Sequence, residues 1–249
     1  MADAVAKRSG KPYGGRFILA NAVVVAGFAA VLLLFAYLVQ RGSHSAWSSY
    51  KPPKTGDVYE KAQSLVDHVA PTYKYNGDPI AVVQAQPLLY QDSVVDGIAF
   101  AKQPLRQIGT SIKQFEPAGG TLAYVFCGQA AKCGLPEVGS QETVPLLRRE
   151  SLELALYTFK YSPSVRSVIA LLPPAGNQSG AIFLRRRALA AQLAKPLDET
   201  LPTHDSLSFN AMTEAERATV ERLTANSLYQ SRFVQGPNGR TLLVLKSVS

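Results

Sequence analysis

Residues 121–127 and 152–172 read TLAYVFC and LELALYTFKYSPSVRSVIALL, and these two stretches decide the fold. Leu122–Cys127 reads as a buried strand that delivers Cys127 to its end. In the second stretch Leu152, Ala155, Leu156 and Phe159 recur at helical spacing, on one face of a helix expected from Leu146 to Tyr161. Arg149 and Glu153 make an i,i+4 pair on its other face. Ser162-Pro163 stops the helix, and Val165–Leu172, closed by Pro173-Pro174, reads as a second buried strand. Strand, helix, strand in that order predicts a crossover that pairs the two strands in parallel.

The neighbouring segments extend this picture on both sides. Asp57, with Glu60 three residues on, has the spacing of a capping box. It opens a helix carrying Val58, Ala62, Leu65, Val66 and Val69 on one face, ended by Pro71. Ile80–Gln86 is β-like. Leu88 to Gln103 places Asp96-Gly97 between two apolar runs, the signal of a two-residue hairpin. Ile112–Glu116 leads through Pro117 and Gly119-Gly120 into the strand at Leu122. Ala181–Leu184 is a short strand entering Arg185-Arg186-Arg187 and a helical piece up to Lys195-Pro196. Thr213 with Glu216 caps another helix, and Phe233-Val234 pairs with Leu242–Leu245 across Pro237-Asn238-Gly239. The expected class is α+β, a mixed and mostly antiparallel sheet with three or four helices packed on it.

Ahead of this domain, Phe17 to Val39 reads FILANAVVVAGFAAVLLLFAYLV, 23 residues without a charge. A bilayer core of about 30 Å needs roughly 20 apolar residues. The run therefore predicts a transmembrane helix, and the organisation becomes a cytoplasmic basic tail (1–16), the span (17–39), a linker (40–56) and an extracytoplasmic domain (57–249). A buried core helix and a cleaved signal peptide, with Ser43-His44-Ser45 as its cleavage candidate, are the competing readings. Lys7, Arg8, Lys11 and Arg16 against Asp3 favour a cytoplasmic N-terminus. Half of the net charge of +8 falls within residues 1–41, so the outer domain is only mildly basic and no nucleic-acid partner is expected. The linker, QRGSHSAWSSYKPPKTG, carries Trp47 and Tyr50, aromatics suited to the headgroup level.

The chain has two cysteines, Cys127 and Cys133, which are expected to close a disulfide loop in an oxidising compartment. Two free thiols are the alternative. None of the three histidines stands at ligand spacing to this pair, so no metal is expected. No nucleophile elbow, phosphate-binding loop, dinucleotide fingerprint or zinc-helix motif occurs, and no cofactor is expected. Ser48-x-x-Lys51 lies in the linker. The carboxylate pairs Asp92 with Asp96 and Glu150 with Glu153 read as solvated charges. His68 shares a polar helix face with Lys61, and His204 stands beside Asp205 in an irregular segment. Arg185-Arg186-Arg187 is the densest charge cluster outside the membrane. It would suit an anionic ligand or acidic partner, against the plainer reading of a solvated helix start.

Tyr157-Thr158 in the helix, followed by Pro163-x-Val165-x-x-Val168 entering a strand, resembles the end of GerM-type extracytoplasmic domains over roughly 50 of the 249 residues. The chain lacks the lipobox cysteine of lipoproteins that carry such domains, and no functional residue follows from the likeness. Two functions remain. The first is a membrane-anchored scaffold or interaction subunit of an envelope complex. The alternative is a membrane-tethered enzyme acting on cell-envelope polymers.

Overall fold

The computed structural model describes residues 47–101, 112–128, 140–174, 179–235 and 239–248, together with Val25, Gly27 and 29–32. Those last six are helical and exposed. No helix among the described residues is long and apolar enough to cross a membrane. The rest of the expected span, 17–39, lies outside them.

From Trp47 onward the chain forms one compact unit. Eight strands make a single sheet: β1 (Ala81–Gln86), β2 (Gly97–Ala101), β3 (Ile112–Pro117), β4 (Thr121–Gly128), β5 (Ser167–Leu171), β6 (Gly180–Arg185), β7 (Leu228–Gln235) and β8 (Thr241–Ser247). Their spatial order is β1-β4-β5-β6-β7-β8-β2-β3. Within the unit from Trp47 onward the described α-helices are α1 (Val58–Val69), α2 (Ser140–Tyr161), the short α3 (Ala190–Leu193) and α4 (Glu214–Thr224). The α+β class and the mixed, mostly antiparallel sheet are as expected, since only β4–β5 and β8–β2 run parallel. The first of these is the predicted crossover, with Leu122 opposite Val168 and α2 between the strands.

Local chemistry explains the elements. Asp57 accepts hydrogen bonds from the Tyr59 and Glu60 N–H groups while Glu60 reaches back to the Asp57 N–H, closing the capping box of α1. Thr213 caps α4 through the Glu216 N–H. β4, β5 and β6 read as continuous apolar runs because both of their faces are buried. Leu122, Tyr124, Val168, Ala170, Ile182 and Leu184 face the helices, whereas Ala123, Ile169, Ala181 and Phe183 join a second core with Ile98, Phe100, Leu243 and Leu245. Tyr124 meets Thr158 of α2 at 2.6 Å, pinning helix to strand at a buried point.

The expected turn at Asp96-Gly97 is a correction. Leu89–Tyr90 pairs with Ser93–Val94, so the reversal falls on Gln91 and Asp92, at φ 49° and 60°. Gly97 instead opens β2. A β-carbon there would overlap the Phe115 ring at 2.2 Å, which is why this strand begins with glycine. A second tight turn, Asn76-Gly77, joins Lys74–Tyr75 to Asp78–Pro79 with both residues at positive φ. The closing hairpin has the expected pairing, Val234 opposite Leu242. The last part of the linker is docked on the domain. Trp47 packs edge-on against Tyr157 and Tyr161, and Tyr50 stacks on His68 at 3.8 Å.

The sheet is strongly curled. Flat strands lie about 4.8 Å apart, so Phe183 on β6 and Phe100 on β2, three places away, would sit about 14 Å apart. Their ring centroids are 5.4 Å apart. Likewise Arg185 at the end of β6 reaches Glu116 of β3, four places along the sheet, at 2.8 Å. The Arg185 guanidinium also lies over the Phe100 and Phe183 rings at 4.9 and 4.7 Å. It is a clasp between strands that the sheet order sets apart. Replacing Arg185 with Met keeps the stem and removes the charge; it is expected to cost about 1–2 kcal/mol in urea unfolding. A loss no larger than that of a surface Arg→Met change elsewhere would argue against the clasp.

Candidate functional site

The curl opens a cavity of about 450 Å³ at its seam. β3 contributes Gln114, Glu116 and Pro117, the bend after it Gly119, and the entry to β5 Arg166 and Ser167. The end of β6 adds Arg185 and leads into Arg186 and Arg187. The structure therefore gathers the whole predicted arginine triplet at one site. It adds Arg166, which sequence reasoning missed. The missing signal lay in topology: Arg166 is about 20 positions from the triplet, but β5 and β6 are antiparallel neighbours with Ser167 opposite Arg185.

The three consecutive arginines have different duties. Arg185 gives two N–H groups to one Glu116 oxygen, Oε1, at 2.8 Å from Nη2 and 3.1 Å from Nε, with a longer 3.4 Å contact from Nε to Oε2. Arg186 turns to the end of α2. It donates to the carbonyls of Val165 at 3.0 Å, Ser162 at 2.7 Å and Phe159, and its guanidinium lies over the Phe159 ring. The bonds to Phe159 and Ser162 cap carbonyls at the helix end and complement its negative pole, while the bond to Val165 ties the following segment to it. Partial burial lowers the Arg186 pKa from its ordinary value. Arg187 is exposed, and it makes no hydrogen bond or ion pair among the described residues. Arg166 gives one Nη2–H to Gly119 O at 2.6 Å. Gly120, at φ 83°, sits beneath it; a β-carbon there would come within 2.9 Å of Arg166 Nε.

The expected surface charges of α2 are corrected. Arg149 and Glu153 do pair, at 2.9 Å, but α4 covers that face and the Arg149 side chain is only 2% exposed. Arg149 also donates to Glu216 at 2.5 Å, to Pro202 O at 2.6 Å and to the Tyr73 hydroxyl. Tyr73 in turn donates to Glu153 at 2.5 Å. His204 meets Glu216, at 3.2 Å to Oε2, rather than pairing with its sequence neighbour Asp205. Beside this group, the preceding residue Arg148 binds Glu221 at 2.6 Å and Thr224 at 2.8 Å. Three charged residues in a row, Arg148-Arg149-Glu150, were the available hint that this helix was enclosed by polar partners.

Glu150 is also corrected. It is fully buried, and neither carboxylate oxygen has a hydrogen-bond partner among the described residues. Burial, with the Glu153 charge adding to it, pushes its pKa well above the ordinary carboxylate value. Asp96 and Asp92 do not act as a pair either. Asp96 accepts the Thr241 N–H at 2.8 Å, while Asp92 forms the tight turn described above. Among the described residues no group of three His, Cys, Asp or Glu is arranged to hold a metal. Cys127 stands half-buried near the end of β4, and Cys133 lies outside the described residues.

A carboxyl whose folded pKa lies above its unfolded value holds its proton better in the folded state. Stability is then greatest at acid pH and falls as the pH rises above the unfolded pKa, because the buried group must stay protonated or ionise without a partner. Glu150→Met is expected to stabilise the domain at pH 7 by about 1–3 kcal/mol and to flatten the decline between about pH 5 and 7. Thermal unfolding followed by circular dichroism across that range checks both. A variant less stable at pH 7, with the same slope, would contradict this reading. Comparison with known proteins adds no relative: no family model, no curated protein and no solved structure matches the chain.

Proposed function

We propose that the chain is a single-pass, membrane-anchored interaction subunit whose outer domain docks onto an envelope complex through its arginine-lined cavity. The observation that carries the anchor is the exposure of Val25, Val31 and Leu32, at 68%, 64% and 53%, on helical backbone inside a run of 23 uncharged residues. Apolar side chains left in water cost roughly 25 cal/mol per Å², and lipid removes that cost. In this reading the N-terminus is cytoplasmic, residues 47–249 lie outside, and Cys127 pairs with Cys133.

The cavity supports binding rather than chemistry. Its walls offer guanidinium donors, and its carboxylate, Glu116, is held by Arg185. The alternative, a membrane-tethered enzyme of envelope polymers, would draw on His204, Glu153 and Glu216. Arg149 binds both Glu153 and Glu216, Tyr73 binds Glu153 and His204 meets Glu216, so these polar atoms are engaged in joining α2 to α4.

Topology is checked on intact cells with a membrane-impermeant maleimide. Labelling at Cys127 and Cys133 is expected only after reduction. Absence of label after reduction, with both thiols reactive in the denatured protein, would overturn the orientation. Label without reduction would overturn the disulfide. Crosslinking in the membrane is expected to capture a partner in the wild-type chain and to lose it when Arg187 is changed to Glu. Undiminished capture by that variant would exclude the cavity as the docking point.

A further inference from the structure

The charges around the cavity do not balance, and the way they fail to balance specifies a ligand. Four guanidiniums line the site with one carboxylate. Glu116 neutralises Arg185, and the carbonyls at the end of α2 absorb the Arg186 donors. Arg166 and Arg187 remain without a counter-ion among the described residues. Arg166 uses one donor on Gly119 O, and Arg187 uses none. Two like charges lining one concavity repel each other, and an anion bound between them would offset that repulsion.

We infer that this cavity binds a phosphate monoester, with Arg166 and Arg187 as its contact residues and Arg185 and Arg186 as its fixed walls. A carboxylate would neutralise one of the two uncompensated charges. A phosphate monoester carries about −1.5 to −2 at neutral pH, which matches the charge, and its three oxygens can accept from both guanidiniums at once. A cavity of about 450 Å³ exceeds the needs of a bare phosphate and leaves room for a body the size of one sugar. Gln114 donates its amide nitrogen to Glu116 Oε1 at 2.6 Å and keeps its amide oxygen for hydroxyl groups on that body. The phosphate could belong to a soluble sugar phosphate or to a lipid headgroup. The inference rests on the reading of the cavity as a binding site, but not on the membrane anchor or on any protein partner.

The test uses the full chain in neutral detergent micelles and isothermal titration with glucose 6-phosphate, inorganic phosphate and glucuronate. Saturable binding of glucose 6-phosphate is expected, about tenfold or more tighter than glucuronate. Arg166→Gln and Arg187→Gln are each expected to weaken it about tenfold, with the melting temperature unchanged for Arg187→Gln, whose side chain is exposed. Phosphatidylcholine vesicles with and without phosphatidic acid separate the sources. Added affinity for the phosphatidic acid vesicles, competed by glucose 6-phosphate, assigns a lipid headgroup, whereas binding of the soluble ester alone assigns a sugar phosphate. No saturable binding of any phosphate probe, equal affinity for glucuronate, or full affinity in Arg187→Gln would overturn the inference. Partner crosslinking lost in Arg187→Glu, together with no phosphate binding, would leave the docking function standing and remove only the ligand.

Discussion

The structure depends on a short connection. β3 and β4 lie six places apart in the sheet, yet only Ala118, Gly119 and Gly120 join them. In a flat sheet that separation would be about 29 Å, and the link can span about 14 Å. The sheet therefore curls until its far edge returns to β4. Gly120, at φ 83°, makes the bend, and the Ala118 N–H donates to Asp96 O at 3.3 Å to hold it against β2. Curling buries one sheet face in a core of its own, with Phe100, Phe183, Leu243 and Leu245. Closure leaves a seam, and the arginine cavity is that seam. Arg185 fastens it from one side through Glu116 and two aromatic rings.

The opposite face is closed by a different kind of contact. α4 is held on α2 by Arg148 and Arg149, both buried and both donating from every guanidinium nitrogen. Buried ion pairs are costly to desolvate, and their net contribution to stability is small even where breaking one is severe. Their geometry fixes which residues of α4 meet α2, since each guanidinium fork fits its own acceptors. Glu150, without such partners, is the unfavourable member of the same stretch, and its burial favours the protonated form. The placement of α4 on α2 thus owes its specificity to polar contacts, while α1 and α2 sit on the sheet through apolar burial.

Much of the fold was legible because its signals are local. The capping box at Asp57, the helix ending at Ser162-Pro163 and the parallel pairing of β4 with β5 all follow from spacings within a few dozen residues. The turn at Gln91-Asp92 was not legible, since neither residue is glycine and the stronger Asp-Gly signal lay five positions on. Gly97 serves a close approach instead, made by a ring from another strand. The arginine triplet was legible as a cluster, but its division of labour was not. Whether an arginine meets Glu116, a helix end or solvent depends on which strands the curl brings together, and no local pattern encodes that. The burial of Arg149 and Glu150 was hidden for the same reason: the helix that covers them begins more than 60 residues later.

Curling is the claim on which both the cavity and its ligand rest. It is tested most directly by a nuclear Overhauser spectrum of the chain with selectively labelled phenylalanine. Cross-peaks between the ring protons of Phe100 and Phe183 are predicted, since such peaks report separations of about 5 Å and a flat sheet would hold these residues about 14 Å apart. Their absence, with the cross-strand contacts of β6 with β7 and of β8 with β2 all present, would show a flat sheet and contradict the account.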